Sequence, residues 1–232
     1  KSERQIREFS RENTEFLIRR KIKALVVACN SSASAAFSFL KSHYSFPIVD
    51  VIGPAARRAA QVSSGERIGI IATQATVQSG AYERAILKES KRIRVFSQAC
   101  PLLVPFVEEG MFTGRLVEMV LGQYLAPLVH RRIDTLILGC THFPMLRDAI
   151  RRVVGPSVAL IDSAPACVNS LRQVLRQRGI LRRGGRGVLQ VFVSDLPQNF
   201  PSLGERFLGE ALGKIKVVRF QYAITKNGRW TV

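Results

Sequence analysis

The apolar positions of this chain fall into short unbroken runs separated by amphipathic stretches. "ALVVAC" (24–29) and "TLILGC" (135–140) show no polar alternation, which predicts strands that are buried on both faces of a sheet. In 2–20 and 112–130, apolar residues recur at the three- and four-residue spacing of an amphipathic helix. Strands that alternate with helices predict an α/β fold with mainly parallel sheets, covered by helices on both faces.

The same patterns assign an element to most of the chain. The predicted strands are 24–29, 47–52, 67–73, 93–100, 135–140, 158–163, 188–195 and 215–220. The predicted helices are 2–20, 31–44, 79–90, a stretch in 102–110 broken by Pro105, 112–130, 143–154, 167–179 and 203–212. Gly53-Pro54 is expected to close the second strand, and "LRRGGRG" (181–187) to form a flexible basic connection.

One strand pattern occurs twice in the chain. "KIKALVVACNSS" (21–32) and "RIDTLILGCTHF" (132–143) are both apolar runs that stop at a cysteine followed by small polar residues, so Cys29 aligns with Cys140. The duplication predicts two pseudo-symmetric α/β lobes with the active site in the cleft between them. The predicted lobes are 1–53 plus 165–232, carrying Cys29, and 54–164, carrying Cys140.

Both cysteines are predicted at the end of a strand and just before a helix, where α/β sheets bind ligands and where a thiolate is favoured. A nucleophilic thiol with His142 as its base is one possible chemistry. A metal site is short of ligands, since Cys29, Cys140 and His142 are fewer than the four that zinc prefers. A third chemistry is proton transfer at carbon, in which one thiol removes a proton from one face and the other returns a proton to the opposite face. This chemistry explains why the two cysteines occur as a pair. Two inert buried cysteines remain the alternative.

Small polar side chains surround both cysteines and could donate hydrogen bonds to the carboxylates of a compact charged substrate. Asn30, Ser31 and Ser32 follow the first thiol, and Thr141 and His142 the second. Thr73 and Thr76 follow another predicted strand. No GxGxxG or GxxxxGK[ST] motif is present, so nothing in the sequence indicates a dinucleotide or a nucleotide phosphate.

Charge and composition narrow the class of protein. The 232 residues carry 35 Lys and Arg against 17 Asp and Glu, a net charge of +18. The basic residues are scattered, which favours a general surface bias over a nucleic-acid groove. No apolar stretch reaches the roughly 20 residues of a membrane helix. The start, "KSERQIREFS", is too polar for a secretory signal, so we expect a cytoplasmic protein with free thiols.

Six motifs together carry a family resemblance over essentially the whole chain. They are "ALVVACNSSA", "ATQATVQSGAY", "ACPLLVPFVEEG", "LGCTHFPML", "IDSA" and "SDLPQNF". With them the chain resembles the glutamate racemases of the cofactor-independent aspartate/glutamate racemase superfamily. The resemblance implies an isomerase that interconverts L- and D-glutamate without cofactor or metal and supplies D-glutamate for peptidoglycan, in cell-wall biogenesis and cell shape.

The resemblance also implies roles for particular residues. By similarity, Cys29 removes the α-proton of D-glutamate and Cys140 that of L-glutamate, and the opposite cysteine returns a proton. His142 and Glu109 match family residues near the second thiol. The implied substrate contacts are Asn30, Ser31, Thr73, Thr76, Thr141 and His142. Ser31 stands where the family usually has threonine, which keeps the hydroxyl and loses a methyl group.

The start of the chain departs from the family pattern. Family members open with a strand ending in Asp-Ser-Gly and then a Pro-Tyr-Gly loop, whereas "KSERQIREFS" is similar to the segment just after that loop. We therefore expect a shortened version of a longer protein, without the carboxylate that the family has beside Cys29.

Two other functions remain open beside glutamate racemisation. One is a racemase or isomerase of the same superfamily with another substrate, and the other is a non-catalytic basic protein on a racemase fold. The expected partner is the small-molecule substrate, with no membrane contact and no nucleic acid. A homodimer is the assembly that the resemblance suggests.

Overall fold

Parallel sheets form the framework of the chain in a computed structural model that describes residues 2–219, 223–224 and 230–231. One sheet has four parallel strands in the order β4-β3-β5-β6, and a second has the parallel pair β1-β2. These strands are β1 (Leu25–Val27), β2 (Ile48–Asp50), β3 (Arg67–Ala72), β4 (Arg94–Ala99), β5 (Thr135–Gly139) and β6 (Ala159–Asp162). The prediction of an α/β fold with mainly parallel sheets is confirmed.

Helices follow most of these strands along the chain. They are α1 (Glu3–Ile18), α2 (Asn30–His43), α3 (Ile52–Val62), α4 (Gln74–Gln78), α5 (Ala81–Glu89), α6 (Leu103–Glu108), α7 (Arg115–His130), α8 (Arg147–Val154) and α9 (Ser163–Gln177). Helix α1 begins with a capping box, in which Ser2 accepts a hydrogen bond from the Gln5 N–H and the Gln5 side chain accepts one from Ser2.

Apolar side chains fill both faces of the four-stranded sheet. Alternate residues of the sheet belong to two different clusters: Ile137 packs with residues of α3, and Leu136 packs with residues of α7. All five residues of β5 are buried. Burial on both faces explains why this strand has no polar alternation in its sequence.

Helix α3 was not predicted, and the prediction that Gly53-Pro54 ends the strand segment was wrong. The helix begins at Ile52. Asp50 Oδ2 accepts hydrogen bonds from the backbone N–H groups of Ile52 and Gly53, at 3.2 Å each, and so satisfies the start of the helix. Proline lacks an N–H that the first helical turn does not need, so Pro54 is compatible with this position.

Several predicted helices have different starts in the structure. The segment predicted as one helix at 143–154 begins with a 3-10 turn, Phe143–Leu146, before α8. Helix α9 begins four residues earlier than the predicted 167, because Asp162 accepts a hydrogen bond from the Ala164 N–H at 2.9 Å and caps it there. Helix α4 lies before the predicted helix 79–90 and was missed because it has only five residues.

Contacts divide the chain into two units, Lys1–Leu181 and Arg182–Val232. The second contains the parallel pair β7 (Val191–Val193) and β8 (Ile215–Val217), helix α10 (Phe200–Leu208), and the antiparallel pair β9 (Ala223–Ile224) and β10 (Trp230–Thr231). The last residue of the predicted strand 215–220, Phe220, lies outside the described residues. The predicted lobes, 1–53 plus 165–232 and 54–164, stay a prediction.

Within the described ranges, every helix is too short or too polar to span a lipid bilayer.

Candidate active site

Cys29 and Cys140 both lie just beyond the carboxyl end of a parallel strand. Cys29 follows β1 and is the N-cap residue of α2, and Cys140 follows β5 directly. Cys29 is exposed, whereas Cys140 is buried with 6% of its surface accessible. The charge of a Cys29 thiolate contributes to the raised pKa of Cys140, so the two sulfurs lie close enough for their charges to interact.

The surroundings of Cys140 favour its protonated form. Burial raises the pKa of this thiol to about 11, while hydrogen bonds from the His142 and Thr141 backbones and from the Thr141 hydroxyl act in the opposite direction. His142 Nδ1 lies 3.7 Å from the Cys140 sulfur. At neutral pH, Cys140 is therefore a thiol that can donate a proton.

His142 bridges Cys140 and an acidic side chain. Its Nε2 lies 3.5 Å from Oε1 of Glu108. Burial lowers the pKa of His142 even though the nearby Glu108 carboxylate raises it, so the imidazole is neutral at neutral pH. The sequence-predicted acid, Glu109, is the exposed C-cap residue of α6. The structure brings Glu108 rather than Glu109 to His142, a choice between adjacent residues that depends on where α6 ends.

Three of the predicted polar residues form a triangle of hydroxyl groups. Ser31 Oγ lies 3.0 Å from Thr73 Oγ1 and 3.3 Å from Thr76 Oγ1, and the two threonine hydroxyls are 3.0 Å apart. Ser31 belongs to the first turn of α2, while Thr73 is the N-cap of α4. The triangle therefore joins the segment after β1 to the segment after β3.

A cleft of about 560 Å³ opens beside this triangle. Cys29, Ser31, Ser32 and Thr73 line it, as does Asn13 of α1, which sequence analysis did not single out. Cys140 lies outside this lining and is reached less readily by solvent. Thr141 is exposed, with its hydroxyl 3.3 Å from His142 Nδ1.

Asn30 is buried and has a partner that the sequence did not reveal. Only 2% of its surface is accessible, and its Oδ1 accepts a hydrogen bond of 2.7 Å from the hydroxyl of Tyr82. Its Nδ2 has no hydrogen-bond partner among the described residues. Tyr82 belongs to the motif "ATQATVQSGAY", but nothing in the spacing indicates that it reaches a residue 52 positions earlier in the chain.

The buried thiols make the protein sensitive to alkali. Burial raises the pKa of Cys100 to about 12 and those of Cys140 and Cys167 to about 11, from 9.0. Above pH 9 the unfolded chain releases protons that the folded chain keeps, so the free energy of unfolding falls as the pH rises towards 11. We expect a loss on the order of several kcal/mol, measured by urea unfolding at each pH.

Cys100→Ala tests the origin of this alkaline loss. The variant lacks one of these three thiols, so its free energy of unfolding should decline more gently above pH 9 than that of the unmodified chain. An equal decline in both proteins would contradict the assignment to Cys100.

Metal ligands are not clustered in the part of the chain that the structure describes. Within it, no group of three or more His, Cys, Asp or Glu side chains could hold a metal ion.

Comparison with known sequences gives a family for this site. The model of the family described as Asp/Glu/Hydantoin racemase matches residues 6–171. A glutamate racemase from Geobacter metallireducens is 40% identical over 222 residues, which cover 95% of this chain and 82% of that relative. A glutamate racemase from Neisseria meningitidis serogroup A is 41% identical over 220 residues, covering 94% of this chain and 81% of the relative.

Solved structures of glutamate racemases have the same fold. Isoform RacE1 from Bacillus anthracis superposes with a TM-score of 0.89 at 36% identity, over 95% of this chain and 82% of the other. The Francisella tularensis enzyme, solved with D-glutamate, gives a TM-score of 0.87 at 32% identity, over 94% and 81%. From the sequence match and the shared fold, we conclude that this chain belongs to the Asp/Glu/hydantoin racemase family.

Proposed function

We propose that this chain interconverts L- and D-glutamate by proton transfer between two cysteines. The observation that carries the proposal is the pair of thiols, each just beyond the carboxyl end of a parallel strand, with the charge of Cys29 contributing to the raised pKa of Cys140. The relatives of this chain at 40% and 41% identity are glutamate racemases, which supports glutamate as the substrate.

The two thiols act on opposite faces of the α-carbon. The Cys29 thiolate removes the α-proton of D-glutamate, and the electron pair left on carbon takes a proton from the Cys140 thiol on the other face, giving L-glutamate. The enzyme is left with a Cys29 thiol and a Cys140 thiolate, the state that starts the reverse reaction. The raised pKa of Cys140, which keeps this thiol protonated at neutral pH, matches the donor role.

His142 supports the second thiol in this scheme. Its neutral imidazole, 3.7 Å from the Cys140 sulfur, can exchange a proton with the thiol, and Glu108 holds the far side of the ring. We assign Glu108, rather than the sequence-predicted Glu109, to this supporting role. A neutral imidazole avoids placing a second fixed charge beside the reacting carbon.

Hydrogen-bond donors around the cleft would hold the carboxylates of the substrate. Ser31 and Thr73 line the cleft, and the buried Thr76 hydroxyl lies 3.0 Å from that of Thr73. The Asn30 amide and the Thr141 hydroxyl complete the proposed set. Holding the α-carboxylate by such donors stabilises the negative charge that develops when the α-proton leaves. The net charge of +18 also attracts an anionic substrate.

The proposed product serves peptidoglycan synthesis, as implied by the family resemblance. The homodimer and the cytoplasmic location stay predictions.

The test is to incubate the chain with D-glutamate in heavy water. We expect the α-proton signal to disappear in NMR spectra while circular dichroism shows inversion, because each inverted molecule takes its α-hydrogen from solvent. D-Aspartate, run in parallel, distinguishes glutamate from another substrate of the superfamily. Exchange with aspartate but not with glutamate would identify aspartate as the substrate. Exchange with neither amino acid would favour the non-catalytic alternative.

A further inference from the structure

Tyr82 links the segments that carry the two thiols. Its hydroxyl donates to Asn30 Oδ1, one residue after Cys29, at 2.7 Å. Its ring lies against Gly139, one residue before Cys140: a Cβ added at Gly139 would stand 3.0 Å from Tyr82 Cε2. Tyr82 is 3% exposed, and no role in the proposed reaction has been assigned to it.

The hydrogen bond from Tyr82 fixes which end of the Asn30 amide is free. Burial raises the pKa of Tyr82, so its hydroxyl remains protonated and available as a donor at neutral pH. A donor at this position pairs with the amide oxygen and turns the Nδ2 group the other way. That Nδ2 is buried and has no partner among the described residues.

A buried amide N–H₂ without an acceptor is unfavourable, and a ligand oxygen would relieve it. Asn30 stands between Cys29 and Ser31, both of which line the cleft. A carboxylate oxygen of a molecule held between the two thiols is an acceptor of the right chemistry for this amide.

We propose that Tyr82 is a positioning residue of the glutamate site, which fixes the Asn30 amide so that Nδ2 is presented to a substrate carboxylate and keeps that amide in register with Cys140. The proposal rests on the proposed racemase function. Tyr82 does not itself touch the substrate and acts through Asn30. Rigid support of a binding group by a neighbouring side chain is what precise substrate positioning requires.

A double-mutant cycle of Tyr82→Phe and Asn30→Ala tests this role. Phenylalanine keeps the ring against Gly139 and removes only the hydroxyl. We expect Tyr82→Phe to raise KM for D-glutamate about tenfold, with kcat changed by less than about threefold, because one positioning hydrogen bond is lost. In the Asn30→Ala background, Tyr82→Phe should have no further effect on KM, since the group through which it acts is gone.

Tyr44→Phe is the matched control. It also removes a tyrosine hydroxyl, one that donates to Glu15 Oε1 at 3.3 Å, and it lies just after the end of α2 that is opposite Asn30. Its KM should equal that of the unmodified chain. The proposal for Tyr82 would be overturned if the KM increases of the two single variants multiplied in the double variant, or if Tyr82→Phe left KM unchanged. Either result would leave the racemase function standing.

A second measurement needs no stable Tyr82 variant. With ¹⁵N-labelled asparagine, the side-chain amide signals of Asn30, identified by their loss in Asn30→Ala, should shift when D-glutamate is added to the unmodified chain. Unmoved Asn30 signals in a chain that inverts D-glutamate would overturn the role of this amide. A chain that neither inverts nor binds D-glutamate would overturn the proposed function, and the inference with it.

Discussion

Replacing either Cys29 or Cys140 by serine should lower the rate of glutamate inversion by about 10³-fold or more. A serine hydroxyl is a far weaker acid than a thiol, so it neither forms the base nor readily donates a proton at neutral pH, and general acid–base catalysis of this kind contributes about 10²–10⁴-fold. Each variant lacks the acid–base group on one face of the α-carbon. Inversion of both enantiomers, followed by circular dichroism, measures the loss.

The two variants should differ in the exchange that remains. Cys140→Ser keeps the base that acts on D-glutamate, so deuterium from heavy water should enter D-glutamate without inversion. Cys29→Ser should show the same behaviour with L-glutamate. NMR of each pure enantiomer distinguishes these outcomes.

Cys167→Ala is the matched control for the thiol substitutions. Cys167 is buried in α9 and has no part in the proposed reaction, so this variant should invert glutamate at the normal rate. Normal inversion by either Cys29→Ser or Cys140→Ser would contradict the two-thiol scheme.

Gly139→Ala should destabilise the fold by about 1–3 kcal/mol and reduce activity at the same time. The added Cβ would stand 2.8 Å from the backbone oxygen of Ile71, 3.0 Å from Tyr82 and 3.1 Å from Ala72. A backbone oxygen in a central parallel strand cannot move aside without distorting the sheet. The displacement would reach Cys140, the next residue in the chain. Chemical denaturation and the inversion assay measure the two effects.

Gly122→Ala provides the comparison for this substitution. Gly122 lies inside α7, and an added Cβ would meet nothing within 4 Å. Alanine is the better helix former by about 1 kcal/mol, so this variant should be as stable as the unmodified chain or more stable. A Gly139→Ala variant as stable as Gly122→Ala would show that the end of β5 tolerates a side chain.

The sequence predicted the central strand β5 because burial is recorded in its apolar pattern, but the prediction of burial on both faces was wrong for β1, where Val26 is 37% exposed. In β5, five buried residues in succession identify a central parallel strand. Helix α3 was missed because Gly53-Pro54 is typical of turns, and only the hydrogen bonds from Ile52 and Gly53 to Asp50 show that a helix begins there. The Asp50 carboxylate, which accepts both hydrogen bonds, therefore favours a helix over a turn at this position.

The site was predictable only where its residues are adjacent in sequence. Cys29 with Ser31, and Cys140 with His142, are apparent as short motifs. The contact of Tyr82 with Asn30 and that of Glu108 with His142 join distant segments, and they depend on how α5 and α6 pack. Such long-range contacts cannot be predicted from the pattern of one sequence, because many tyrosines and glutamates satisfy the same local periodicity.

The unequal exposure of Cys29 and Cys140 has a kinetic consequence. L- and D-glutamate are mirror images and have equal free energies in water, so their interconversion has an equilibrium constant of one at every pH. The quotient kcat/KM must then be the same for both enantiomers, however different the two thiols are. The deeper burial of Cys140 can therefore make kcat differ between L- and D-glutamate only if KM differs by the same factor.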